Sequence, residues 1–191
     1  MPNPAPEFST FIAELTQLID AQPDEPALLL NARKSLHTLI TADTWLPAAC
    51  AVPRADRYAQ YLLHCNSLER FSVVSLVLAN DQATPVHNHT VWGLVGILRG
   101  AEQCDEYAIE NGRVVPCGHS HVMRAGDVKA VSPMLGDWHR VRNANSVHGA
   151  GVTVGIHVYG GNIGAIKRAR VADSGDRLEF ISGYDGHVVW T

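Results

Sequence analysis

The sequence predicts an all-β barrel with a helical cap at its N-terminus, and three observations carry that expectation. Apolar side chains in the first fifty residues recur at helical spacing. From about Tyr58 onward, short segments rich in strand formers alternate with turn signals. No linker, repeat or low-complexity segment divides the 191 residues, so they read as one domain, with 1–50 helical and 55–191 forming the barrel.

In the N-terminal part, Phe8, Phe11, Ile12, Leu15, Leu18 and Ile19 share one helix face. Gln22-Pro23 breaks that helix, because a residue before proline is pushed out of the helical region. A second helix is expected from about Pro26, a residue suited to a first turn, to about Ile40. Strands are expected at Tyr58–His64, Phe71–Leu78, Val91–Leu98, Cys104–Ile109, Val114–Met123, Val128–Val131, Val152–Tyr159 and Val188–Trp190. The turns between them carry Asn80-Asp81, Glu110-Asn111-Gly112, Ala125-Gly126-Asp127, Gly160-Gly161-Asn162 and Asp173-Ser174-Gly175-Asp176. Many short strands with regular turns imply an antiparallel sandwich or small barrel.

Composition narrows the function. The formal net charge is −4 with no Lys/Arg-rich run, which argues against a nucleic-acid groove or an anionic-membrane patch. No apolar stretch is long enough to span a bilayer, and the first residues lack the basic and apolar regions of a secretory signal. Cys50, Cys65, Cys104 and Cys117 have no C-x-x-C spacing and read as reduced thiols of a cytoplasmic protein. Ten histidines are more than such a chain needs.

Two pairs have the H-x-H spacing that would put both rings on one face of a strand. His119-Ser120-His121 lies in a polar, hairpin-like stretch with no matching third ligand, and reads as surface. His87-Asn88-His89 sits in a richer frame, His87-x-His89-x3-Gly93-x6-Gly100. Downstream runs Gly126-x6-Pro133-x2-Gly136-x2-His139-x3-Asn143. The two frames resemble the first and second cupin motifs, G-x5-H-x-H-x3,4-E-x6-G and G-x5-P-x-G-x2-H-x3-N. The leading glycine falls on Asp81, the carboxylate is replaced by Gly93, and the second motif is expanded by one residue on each side of its proline.

The resemblance implies a cupin fold, the double-stranded β-helix or small jelly-roll barrel. It also implies a metal on three neutral nitrogens, His87, His89 and His139. Imidazole suits Zn, Cu, Fe or Ni, so ligand type alone does not choose the ion. Three protein ligands leave positions open, as a catalytic site requires.

Pro85-Val-His-Asn-His-Thr-Val-Trp-Gly93, Gly136-Asp-Trp-His-Arg-Val141 and Ile156-His-Val-Tyr-Gly160 further resemble the thiol dioxygenases, over most of the chain from Tyr58 to Arg168. That family holds Fe(II) on three histidines and adds both atoms of O2 to a thiol, releasing a sulfinic acid. The resemblance implies that Tyr159 directs its hydroxyl toward the ligands of the iron and that His157 orients it. It implies that Arg168 holds the substrate carboxylate. Gln60 stands where the cysteine-oxidising members have a carboxylate-binding arginine, which places the chain with the Gln-type enzymes of 3-mercaptopropionate. Read without that frame, Gln60 is a half-exposed strand residue and Arg168 a surface charge, and the adjacent Lys167 could shift the match by one.

Two departures qualify the resemblance. Gly93 stands at the cysteine that cross-links to tyrosine in the mammalian-type enzyme, so no such cross-link is expected here. The family's Ser-His-Tyr chain has Gly155 in place of serine, which removes a hydroxyl partner of His157 and is expected to open volume for a second carboxylate, as in mercaptosuccinate. Trp92 and Trp138 are expected to pack in the core, Cys104 and Cys117 to be small core residues, and His148 to lie near the barrel mouth. The competing readings are a mercaptosuccinate or cysteine dioxygenase, a cupin isomerase, a dioxygenase of a non-thiol substrate, and a non-catalytic metal-binding cupin.

Overall fold

The computed structural model describes residues 3–21, 23–145 and 151–188. Helix α1 spans Pro6–Asp20 and α2 spans Glu25–Leu39. Each has a proline in its first turn, and the Asp24 side chain accepts a hydrogen bond from the Ala27 N–H to cap α2. Phe8, Phe11 and Leu15 of α1 and Leu29, Ala32, Leu36 and Leu39 of α2 enter one core with Val73, Leu94, Leu98 and Val158 of the barrel. Phe8 stacks on Trp45 with ring centroids 5.2 Å apart. The cap is therefore part of the core that supports the barrel wall.

Eleven strands are present among the described residues: β1 Ala59–Cys65, β2 Ser72–Leu78, β3 Gly93–Arg99, β4 Ala101–Glu110, β5 Arg113–Arg124, β6 Val128–Val131, β7 Trp138–Asn143, β8 Thr153–Tyr159, β9 Arg168–Val171, β10 Arg177–Phe180 and β11 Gly186–His187. One sheet runs β11-β1-β2-β8-β3-β6, and its fully buried β2 and β8 read as continuous apolar runs. Facing it are β5-β4-β7 and the β9–β10 hairpin. The gap between β7 and β9 is closed by residues 86–88, since His87 bridges both His139 and Arg170. The chain crosses between sheets at Gly100, whose φ of +77° favours glycine and where a Cβ would stand 2.6 Å from Asn145 Nδ2. Asn143, the last residue of the second motif, ties the wall together by donating to the carbonyls of Leu78 and Gly151.

Three strands differ from expectation. β7, β9 and β10 are short and rich in Arg and Asn, so their periodicity does not stand out. The last described strand is the two-residue β11, and most of the strand expected at Val188–Trp190 lies outside the described residues, as does His148. Cys117 is exposed rather than in the core, whereas Cys104 is buried.

Candidate metal and substrate site

His87 and His89 were expected to project from one regular strand. They lie instead in the irregular link 86–90, pinned from both sides. The His87 N–H donates to the His139 carbonyl, the His139 N–H donates back, and the Val171 N–H donates to the Val86 carbonyl. This double anchoring brings the two imidazoles to that of His139 on β7. Candidate ligand atoms of the three lie within 4.8 Å of one another, and all three residues are buried.

Each ring is held at Nδ1, which leaves Nε2 as the atom for a metal. His87 Nδ1 donates to the Pro85 carbonyl at 2.9 Å. His89 Nδ1 lies 3.1 Å from Asp137 Oδ1. His139 Nδ1 lies 3.6 Å from Cys104 Sγ, which accepts in the tautomer that frees Nε2. His89 Nε2 is buried without any partner. Burial, the largest cause, lowers all three pKa values, that of His87 to about 4 and those of His89 and His139 well below the usual imidazole value. Neutral rings with converging lone pairs are what a metal requires, and the set fits one.

Asp137 was not singled out from sequence, yet it organises this corner. Its Oδ1 accepts from the His89 backbone N–H at 2.8 Å as well as facing the ring, and its Oδ2 accepts from the Thr90 N–H at 2.9 Å. Thr90 has φ of +63°, strained for a β-branched residue, and the carboxylate holds the backbone there. The signal in the sequence is its place between Gly136, at φ +102°, and His139.

His157 and Tyr159 share the inner face of β8. His157 Nδ1 lies 2.9 Å from the Tyr159 hydroxyl, and the Tyr159 ring packs on His89 with centroids 5.1 Å apart. Burial pushes the Tyr159 hydroxyl up, so it stays protonated, and brings His157 down to about 3. Gly93 is the cross-strand partner of Tyr159, where a Cβ would stand 3.0 Å from the ring. The volume expected over Gly155 is not open, because His157 fills it: a Cβ at 155 would lie 2.7 Å from His157 Nε2.

Arg168 and Gln60 meet through Ser182. Arg168 Nη2 donates to Ser182 Oγ at 2.7 Å, and Gln60 Nε2 donates to the same oxygen at 3.2 Å and to the Gly183 carbonyl at 2.9 Å. Both residues are buried, so neither is the exposed residue that composition alone favours. Lys167 is exposed and pairs with Glu179 at 2.6 Å, whereas Arg168 is buried. Phe180 packs against the guanidinium at 4.7 Å. Arg168 has no carboxylate within ion-pair distance among the described residues, its Nε is unpartnered, and its charge acts on His87, His89 and Tyr159. A buried cation on the strand bridged to His87, with no counter-ion among the described residues, offers a place for an anion.

His119 and His121 differ from this cluster in every respect. They lie on β5 beside Glu106, at 3.7 and 3.8 Å, and Lys129 Nζ sits 3.1 Å from His121 Nε2. An ammonium at that point repels a metal ion. Trp138 is buried, and Trp92 packs over the backbone of Gly160.

Two facing sheets closed into a barrel, with the helical pair on one wall, make this a cupin-type double-stranded β-helix whose interior carries three histidines able to hold a metal. No family model matches the sequence. Solved structures similar to it include a conserved protein with a double-stranded β-helix domain from Klebsiella pneumoniae, 15% identical over 63% of this chain and 88% of that one, with a TM-score of 0.48. An RmlC-like cupin from Ralstonia eutropha is 13% identical over 69% and 72%, with a TM-score of 0.47. An oxalate oxidase with a bound glycolate is 16% identical over 60% and 57%, with a TM-score of 0.46. No helix among the described residues is long and apolar enough to cross a membrane.

Proposed function

We propose that this chain is an iron(II)-dependent thiol dioxygenase that converts a small mercapto-carboxylate, 3-mercaptopropionate by preference, and O2 into the sulfinate. The observation that carries the reading is Arg168, a buried guanidinium with no counter-ion among the described residues, on the strand that bridges to His87 through Arg170. In the balanced reaction a thiol R–SH and O2 give R–SO2H, with both oxygens ending on sulfur.

Fe(II) on His87, His89 and His139 supplies, when bound, the coordination of the thiolate and the activation of O2. The chain's own residues do the rest. Asp137, the Pro85 carbonyl and Cys104 hold the three rings in the tautomer that presents Nε2. Arg168 binds the substrate carboxylate with a planar two-pronged donor, and Gln60 holds Ser182, which holds Arg168. Tyr159 keeps its proton and presents the hydroxyl beside His89, while His157 orients it. The barrel walls keep water from these groups. A mercaptopropionate needs only a sulfur on the metal and a carboxylate on Arg168. Cysteamine, which lacks the carboxylate, has nothing to offer that cation.

Mercaptosuccinate is a second reading, because Arg170 lies two residues from Arg168 on the same strand. It lines a cavity of about 300 Å³ with Tyr58, Gln60 and Ser182 and has no ion pair among the described residues. The experiment is oxygen uptake by iron-loaded protein with 3-mercaptopropionate, mercaptosuccinate, cysteine and cysteamine. The highest kcat/KM is expected for 3-mercaptopropionate. A preference for mercaptosuccinate would move the assignment to the second reading, and a preference for cysteamine would remove Arg168 from it.

A further inference from the structure

Besides the His89 and Arg168 atoms already described, two buried polar groups inside the barrel have no hydrogen-bond partner among the described residues. Glu102 on β4 is 1% exposed, and neither of its carboxyl oxygens has a hydrogen-bond partner. His157 on β8 is 2% exposed, and while its Nδ1 meets Tyr159, its Nε2 has none. Polar atoms so deeply buried are satisfied as a rule, by protein or by an ordered water.

Strand pairing and side-chain clusters put these two groups on facing walls of the barrel. Gly155 is flanked in its sheet by Leu76 of β2 and Ile97 of β3. Leu76 packs in one cluster with Cys104, which lies two residues from Glu102 on the same face of β4. Ile97 packs in another with Met123, the cross-strand neighbour of Glu102 on β5. Glu102 and Gly155 therefore lie on facing walls, each beside residues of those two clusters. Because Gly155 has no side chain, the imidazole of His157 leans over it, and Nε2 would lie 2.7 Å from a Cβ at that position.

We propose that Glu102 is a protonated positioning residue: its O–H donates through one shared water to His157 Nε2 and fixes the imidazole as the Nδ1–H tautomer. The Nδ1–H then donates to the Tyr159 oxygen 2.9 Å away. The proton of Tyr159 is left to point at the three histidines, against whose His89 its ring already packs. The opposite tautomer would draw that proton back to Nδ1 and turn a lone pair toward the site. With no cation bonded to it and no water surface, the acid form of Glu102 is the stable one, and burial pushes its pKa to about 8.

The proposal rests on Tyr159 facing the metal site, but its test reads a tautomer without turnover, so it can fail while thiol oxidation stands. Metal-free protein labelled with 15N-histidine is observed by NMR, and the carboxylic-acid C=O stretch is followed by infrared spectroscopy. The wild type is expected to show His157 as the Nδ1–H form, with an Nε2 resonance shifted by hydrogen bonding. Glu102→Gln, whose amide can still donate, keeps that pattern and loses the carboxylic-acid band. Glu102→Leu loses the hydrogen-bond shift at Nε2. The proposal is overturned by an Nε2–H form in the wild type, by identical His157 resonances in wild type and Glu102→Leu, or by an infrared band unchanged in Glu102→Gln. Should Glu102→Leu not fold, the wild-type tautomer and the Glu102→Gln spectrum decide the matter by themselves.

Discussion

The chain holds the same tripeptide pattern twice, and the two copies meet opposite fates. His87 and His89 are buried, each with Nδ1 held, and a third imidazole stands against them. His119 and His121 lie on a partly exposed hairpin, with a glutamate that already pairs with Lys129 and an ammonium beside one ring. Spacing is thus a weak criterion. What separates the pairs is removal from water, a carboxylate or carbonyl fixing each tautomer, and a ligand delivered from a distant strand.

The largest effect expected from that difference is on metal retention. His139→Ala should lose bound iron, while His121→Ala should keep the wild-type content, as read by metal analysis after gel filtration. Full iron in His139→Ala, or its loss in His121→Ala, would reverse the comparison. Next in size is Arg168→Ala, which removes a charge-assisted pair of about 1.5–4 kcal/mol and should raise KM for carboxylated thiols by roughly ten- to a thousandfold. An unchanged KM would return Arg168 to a structural role.

Asp137→Asn sharpens the comparison at the one ring held by a carboxylate. An amide has a single acceptor oxygen for the three donors that Asp137 serves, two backbone N–H groups and the His89 ring. Metal affinity should fall by about ten- to a hundredfold, measured by competition with a chelator. Tyr159→Phe should have the smallest effect on metal content and act on turnover instead. Loss of a positioned donor costs on the order of one to a few kcal/mol in the barrier. An iron-replete Tyr159→Phe with unchanged kcat would show that the hydroxyl is a packing feature.

Much of this was legible in the sequence, and the reasons are local. The helices announce themselves by period, and β2, β3, β6 and β8 by β-branched runs. The grouping of His87, His89 and His139 was legible because the two motifs carry glycines where the backbone needs them, at Gly100 and Gly136. The H-x-H spacing of His87 and His89 fits a strand, although the hydrogen bonds of the link 86–90 go to two different neighbours. Asp137 and Glu102 stayed hidden for a different reason. A carboxylate reads as surface until a fold buries it, and only the structure shows Asp137 bonded to His89 and Glu102 buried between Met123 and Asn143. Gly155 itself misled, since a missing side chain suggests space, and the imidazole two residues on takes that space up.

The central claim is that both atoms of one O2 are placed on the sulfur of a thiol held by the barrel. Iron-loaded protein turned over with 3-mercaptopropionate under 18O2 tests it most directly, with the product read by mass spectrometry. The account predicts a sulfinate carrying two labelled oxygens, formed in equal amount to the O2 consumed. Disulfide, peroxide, or a product with one oxygen from water would contradict it.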